Sequence, residues 1–500
     1  MFSIVPEPSR QDDQAAAVLS GLQSFTRLPD WLTAITQPRR VHDALIHSIP
    51  EFASGELRLE ACRARQARFK QNRWMVIYQL TIAGPCPEQR RIMNVRGTLI
   101  PPGHAELALV PNGVAFGAKA WRCHLSELCL DLEMQPPDSE LPALPLLTEP
   151  EQARTFLEQS IRAGSPAYHD IRIQACIPQV VRYKPGSRCT VLYQLEYPAY
   201  LTARHHWPNV VVAKTYRGQK GQNAYDSMYA LWNSTLAASN TVTIAEPLAY
   251  VPGMNVLVQG PIRGEQTLQD LIRSSLHTDM PQAIEELHEY MRKTAVGLVE
   301  LHRSEVRFGH TRVWEDELAE VQDGLESLIV AAPQLADAAM PLLKRLNALA
   351  AGCPPDPWGP SHGTFRPAQV LLNQGRIGFI DFDGFCRAEP ALDLALFLAK
   401  VKDIGLSASE IDEDASDENV ELLDEEAYVA RLAQLDSICQ TFLDGYETLM
   451  TVSRRRVALW EALAIFTLVL HSWTKVKPVR LKNSLRLLEH HLRRSGLLSL

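Results

Sequence analysis

The sequence predicts a two-lobed α+β chain, a small antiparallel β lobe followed by a mainly helical large lobe, with a further α+β region in front of both. Three observations carry this prediction. Apolar and polar residues alternate around short turns at 61–80 and again at 175–195, the pattern of antiparallel hairpins. Past residue 260, apolar residues recur at three- and four-residue spacing, as on amphipathic helices. A strand-rich island then interrupts the helices from Val370 to Phe382.

Taken in order, 500 residues exceed what one hydrophobic core supports, so two or three packed units are expected. The first fifty residues are polar and mixed, with a short helix over Gln14 to Leu22. Ala61-Cys62, Arg68-Phe69-Lys70 and Met75 to Leu80 then reappear as Ala175-Cys176, Arg182-Tyr183-Lys184 and Thr190 to Leu195. The echo continues from Met93 to Gly97 into Val211 to Thr215, and is read as a duplicated small β lobe whose first copy is degenerate. A proline-rich stretch from Gln135 links the copies. The expected units are thus 1–145, 150–262 and 263–500. Gln282 to His302 forms one helix, and Glu315 to Ala351 forms two, broken near Ala332-Pro333. Further helices run over Ala391 to Val401 and from Tyr428 to the end, with an acidic insertion at 403–426 expected as a solvated loop.

Composition narrows the function classes. Apolar residues are 46% and charged residues 22%, ordinary globular usage. The net charge of −8 is concentrated at 403–426, and nothing in the balance asks for nucleic acid or an anionic membrane. The nine cysteines are scattered without a C-x-x-C pair, which favours buried thiols in a reducing compartment. The N-terminus lacks a signal-peptide pattern, and the longest apolar run, Ala462 to Leu470, falls short of the ~20 residues a span requires. A cytoplasmic location is the expectation.

The chemistry is concentrated in SHGTFRPAQVLLNQGRIGFIDFDGFCRAEPALDLALFLAK, residues 361–400. A polar turn from His362 to Gln369 enters a strand, Asn373 to Arg376 turns the chain, and the return strand ends in Asp381-Phe382-Asp383. Two carboxylates at i and i+2 beside a buried strand require a positive partner, with a metal ion the obvious one, unless they only bond backbone amides in a turn.

On these residues the chain resembles the aminoglycoside phosphotransferase and choline kinase family, of protein kinase-like fold. That family has a loop H-G-D-x-x-x-x-N, a hairpin, I-D-[FW]-[DE], and a D-P-A-x-D-L-A helix start. Here stand His362-Gly363, the hairpin, Ile380-Asp381-Phe382-Asp383, and Glu389-Pro390-Ala391-Leu392-Asp393-Leu394-Ala395. The resemblance covers roughly 150–490 and implies an ATP-dependent phosphotransferase acting on a small hydroxylated or amino-bearing molecule. It implies that the turn carrying Gly186 and Ser187 lies over the nucleotide phosphates, that Lys214 holds them, and that Val256 to Gly260 joins the lobes. Asp381 and Gln369 are the implied magnesium ligands. The helix from Asn223 to Trp232 lacks the glutamate that normally pairs with the lysine, and Asp226 is its nearest substitute.

Two positions depart from the pattern. Gln369 replaces the metal-binding asparagine, a mild change. Thr364 replaces the catalytic aspartate, and a threonine hydroxyl cannot act as a base near pH 7. His362 and Asp383 are the candidate surrogates. The alternative is a pseudokinase that binds Mg-nucleotide and regulates or scaffolds a partner. The acceptor is not legible in the sequence.

Overall fold

The computed structural model describes residues 10–498 apart from 66, 71–72, 85–89, 102, 104–113, 136–137, 203–204, 219, 279, 330 and 408–422. The alternation at 61–80 produces the first sheet: β1 (Arg58–Ala64), β2 (Arg68–Lys70), β3 (Arg73–Ala83), β4 (Arg91–Leu99), β5 (Arg122–Leu125) and β6 (Leu130–Met134). Its order is β1-β3-β4-β6-β5, with β2 also paired to β3. The second copy gives β7 (Ala175–Lys184), β8 (Arg188–Glu196) and β9 (Val210–Tyr216). After β10 (Thr243–Ile244), which joins another sheet, come β11 (Pro247–Val251) and β12 (Val256–Gln259). The second order, β7-β8-β9-β12-β11, traces the same path as the first.

The correspondence reaches single residues. In each sheet a short 3-10 turn precedes the last strand and is followed by a left-handed residue, Cys129 (φ 48°) or Asn255 (φ 50°). The matching tyrosines, Tyr78 and Tyr193, are both buried and donate over 2.7 Å to a backbone carbonyl of the preceding segment, Ile35 and Leu147. A buried phenol that finds its partner removes the penalty of an orphaned hydroxyl. The sequence echo therefore corresponds to a repeat of topology.

Two apolar cores form. One lies under the second sheet, against the helix Pro150–Gly164. The other runs without interruption from the first sheet into the large lobe. There Phe25 packs edge-on against Phe466, and Trp74 and Trp473 donate to the carbonyls of Thr474 and Phe25. The N-terminal region also reaches the second sheet at its β7–β8 tip. Arg68 donates to the Pro185 carbonyl and Lys70 to that of Gly186, while Asp138 accepts from Tyr183 and the Gly186 amide.

The large lobe follows the helical spacing: Pro281–His302, Trp314–Leu328, Gln334–Ala351, Ala391–Gly405, Glu425–Glu447, Arg454–Thr474 and Pro478–Arg494. The break falls between Leu328 and Gln334, with Pro333 at the N-cap of the second helix, which itself carries Pro341. Among the described residues, Arg454–Thr474 is long and apolar enough to cross a membrane, although 78% of its apolar window is buried inside the protein. Trp460, Phe466 and Trp473 on that helix belong to the core.

The acidic stretch differs from the loop expected over 403–426. Residues 408–422 lie outside the described residues, and both ends are helical. Asp403 is buried in Ala391–Gly405 against Lys400 (2.8 Å) and Arg480 (2.7 Å). Burial alone would raise its pKa, but those two cations hold it well below the carboxylate range. Glu425 opens the next helix and meets Arg486 at 2.5 Å.

The strand-rich island is built from β13 (Gln266–Thr267), β14 (Gly359–Ser361), β15 (Val370–Asn373), β16 (Arg376–Phe379) and β17 (Cys386–Ala388). β10-β16-β15-β13 form one sheet and β14 pairs with β17. Gln374 (φ 48°) and Gly375 (φ 79°) close the β15–β16 hairpin with the two left-handed residues that match strand twist.

Candidate active site

The site lies where β8 and β9 of the small lobe face the turn after β16. Side chains at i and i+2 of a strand share a face, as do directly paired residues of neighbouring strands. Lys214 and Tyr216 on β9 pair with Thr190 and Arg188 on β8, so all four point to one side. That side meets Asp381 and Asp383. Lys214 Nζ lies 3.1 Å from Asp381 Oδ1. Arg188 NH1 lies 3.4–3.5 Å from the two Asp381 oxygens and 3.1 Å from Asp383 Oδ2. The Tyr216 hydroxyl donates to Asp383 Oδ1 over 3.0 Å.

Local structure aims the carboxylates. Asp381 is left-handed (φ 73°, ψ 52°), a conformation that few residues other than glycine adopt, and it opens the short 3-10 turn Phe382–Gly384. Asn223, on the helix Lys220–Trp232, ties that turn down by donating to the carbonyls of Asp383 (3.0 Å) and Phe385 (3.3 Å). Burial would raise the Asp381 pKa, but Lys214 and Arg188 outweigh it and hold the carboxyl well below the usual range. For Asp383, burial and then the Asp381 charge push the carboxyl up.

The loop 362–369 is fixed from below by Asp393. Its carboxylate, fully buried, accepts from the amides of His362 (2.6 Å) and Gly363 (2.8 Å), and lies 3.2 Å from His302. Gly363 has φ +75°, and a Cβ there would stand 2.0 Å from the Gly384 carbonyl, so only glycine lets the loop meet the turn. Thr364 is exposed at the base position, its Oγ1 3.4 Å from both His362 Nδ1 and Gln369 Nε2.

His362 is buried, with Nε2 3.0 Å from the Ile380 carbonyl, which makes that nitrogen the protonated one. Burial lowers its pKa, against the opposing pull of Asp393. An unfolded histidine takes a proton as pH falls through about 6.5, whereas this one stays neutral, so stability is lost as pH drops below that value. Between pH 7 and 5 the wild type should lose up to about 1.4 kcal/mol per pH unit through this group, and His362→Asn should lose less. Denaturant midpoints at the two pH values check this, and equal pH dependence in both proteins would contradict it.

The structure gathers Lys214, Asp381, Asp383, Gln369, Thr364 and His362, but not Gly186 and Ser187. The Gly186 amide is engaged by Asp138 (2.7 Å) and the Ser187 carbonyl accepts from the Arg217 amide, so that turn is held by the N-terminal region and by the residue after β9. Asp226 does not act as partner to the lysine. It accepts from Gln222 instead, and Asp381 itself takes Lys214. Sequence pattern alone does not single out Arg188, because its role depends on register: Arg188 and Thr190 stand opposite Tyr216 and Lys214 in the β8–β9 pairing.

Asp381, Asp383 and Gln369 are hard oxygen donors of the type magnesium prefers. Their surroundings do not fit the ion. Magnesium requires oxygen ligands at ~2.0–2.1 Å in near-octahedral array, and the Arg188 guanidinium already bridges the two carboxylates. Gln369 turns its amide nitrogen toward Asp381 Oδ2 (3.4 Å), leaving its buried Oε1 without a partner. Among the described residues no group of three or more His, Cys, Asp or Glu side chains is placed to hold a metal.

Comparison with known proteins locates this arrangement. The model of the phosphotransferase enzyme family matches residues 212–412. No curated protein matches the sequence. The fold is similar to solved structures of an aminoglycoside 2'-phosphotransferase-IIIa variant bound to GDP (15% identity, TM-score 0.42, 68% of this chain and 98% of that one). It is similar also to choline kinase from Cryptosporidium parvum (11%, 0.45, 68% and 95%). A glucosamine kinase bound to glucosamine, ADP and phosphate shows 14% identity and a TM-score of 0.42, over 90% of this chain and 99% of that one. Lys214, the 362–369 loop and the Asp381–Asp383 turn all fall inside the segment that the phosphotransferase enzyme family model matches.

Proposed function

We propose that the chain binds a nucleoside triphosphate between the β7–β12 sheet and the Asp381–Asp383 turn, and acts in the cytoplasm as a nucleotide-dependent regulator or scaffold rather than as an efficient kinase. The observation that carries this is the state of the base position. Thr364 stands there, His362 behind it is buried and neutral, and both oxygens of Asp383 are engaged, one by Tyr216 and one by Arg188. Among the described residues of the site no group is thus left unengaged to take the proton of an acceptor hydroxyl, whereas Lys214 and Arg188, ion-paired with the two aspartates, bring positive charge for phosphate oxygens.

Binding and orienting phosphates needs only charge and hydrogen-bond donors. Lys214 supplies a point charge, and Arg188 a planar fork that suits paired oxygens. A second reading, a phosphotransferase acting on a small hydroxylated or amino-bearing molecule, is favoured by one feature. Asp383, whose pKa is raised by burial and by Asp381, would become a base if Tyr216 and Arg188 released it.

Thermal melting with ATP, ADP and GTP, in magnesium and in EDTA, tests the proposal. At a hundredfold excess over Kd a bound nucleotide should stabilise the protein by about 2.7 kcal/mol, a clear rise in melting temperature. No shift with any nucleotide in either condition would refute nucleotide binding. Turnover of a small acceptor at ~1–100 s⁻¹ would favour the second reading.

A further inference from the structure

The charge inventory of the cleft differs from that of a site designed around a divalent cation. Thr364 brings no carboxylate to the cleft, and Asp226 of the helix Lys220–Trp232 is taken by Gln222, while neutral Asn223 bonds the Asp383 and Phe385 carbonyls. Cations meet the carboxylates directly. Arg188 crosses from the small lobe to both aspartates of the large lobe. Arg366, in the loop itself, lies close enough to lower the Asp381 pKa, and its buried Nε has no hydrogen-bond partner. Three cations thus face two carboxylates.

Gln369 Nε2 lies 3.4 Å from Asp381 Oδ2, and its buried Oε1 has no partner among the described residues. Arg188 NH1, within 3.1–3.5 Å of three carboxylate oxygens, stands where a bridging ion would stand.

We propose that this cleft takes the triphosphate free of divalent metal, with the Arg188 guanidinium supplying the positive charge that a metal would bring. This deepens the nucleotide-binding reading and rests on it. A metal-free triphosphate carries its full negative charge into a site with surplus cations, and the guanidinium fork can bond phosphate oxygens and the aspartates together. Magnesium acts against binding in two ways. It neutralises the ligand in solution, and it must displace Arg188 to reach the carboxylates.

Isothermal titration of the full chain with ATP, in EDTA and in excess magnesium, tests this without any assay of activity. The wild type should bind in EDTA at least as tightly as in magnesium. Arg188→Gln should weaken binding in EDTA by about tenfold or more, the loss of one charged hydrogen-bonding partner, and should bind better with magnesium than without it, because the carboxylates are released. Wild-type binding that is tenfold tighter in magnesium than in EDTA would overturn the inference while leaving the nucleotide site standing. Absence of binding in both buffers would overturn both. The wild-type comparison needs no variant, so the test survives if Arg188→Gln fails to fold.

Discussion

Thr364→Asp should raise ATP turnover above that of the wild type by roughly 10²–10⁴-fold, the usual range for general-base assistance. Thr364 is exposed at the mouth of the loop, so a carboxylate of similar size fits there without a cavity or a clash. Gln369 Nε2, 3.4 Å from the threonine hydroxyl, would become its hydrogen-bond donor. Three cations would then face three carboxylates in place of two. The effect is read as phosphate released from ATP, alone and with candidate acceptors. An unchanged rate in a variant that still binds ATP would mean that the base is not the sole element lost, and that the bonds of Asp383 to Tyr216 and Arg188 hold the site in a non-transferring form.

Asp393→Ala should be strongly destabilising. The Asp393 carboxylate is fully buried and satisfies the amides of His362 and Gly363 together with His302, whose other nitrogen meets the Tyr446 hydroxyl over 2.7 Å. Burial would raise its pKa, but the bonds from His302 and from the His362 amide hold it below the usual carboxylate range. Removing one partner from such a buried charged network costs about 3–5 kcal/mol, because the remaining donors are left in a dry core without acceptors. The melting midpoint should fall by roughly 3–5 °C, at about 1 °C per kcal/mol for a chain of this length. Asp393→Asn keeps one acceptor and should cost less. A shift of less than about 2 °C for the alanine variant would show that the loop is held by other bonds.

The parts of this molecule that were legible in the sequence are those fixed by local pattern. Alternation located the hairpins of both sheets, helical spacing located Pro281–His302 and the pair divided at Pro333, and Asn373 to Arg376 announced a tight turn. The motif around Asp381 and the strand bearing Lys214 pointed to one cleft, and their side chains lie 3.1 Å apart. What escaped depends on contacts between distant segments. Arg188 follows the β7–β8 turn, and only the β8–β9 register brings it beside Tyr216 and Lys214. Asp226 has the right charge on the right helix, but Gln222, one helical turn away, takes its oxygens. Asp138, in a stretch read as linker, bonds the tip of the β7–β8 hairpin. Asp403 belongs by composition to an acidic loop, and only Lys400 and Arg480 make its burial tolerable.

The most direct measurement is the equilibrium binding of ATP to the wild type and to Lys214→Met, each checked for folding by circular dichroism. Lys214 reaches across the cleft to Asp381, so loss of its ammonium removes one of the charges on which the phosphates depend. The wild type should bind, and Lys214→Met should bind at least about tenfold more weakly. Equal affinity in the two proteins would contradict the account, because the nucleotide would then sit somewhere other than between Lys214 and Asp381.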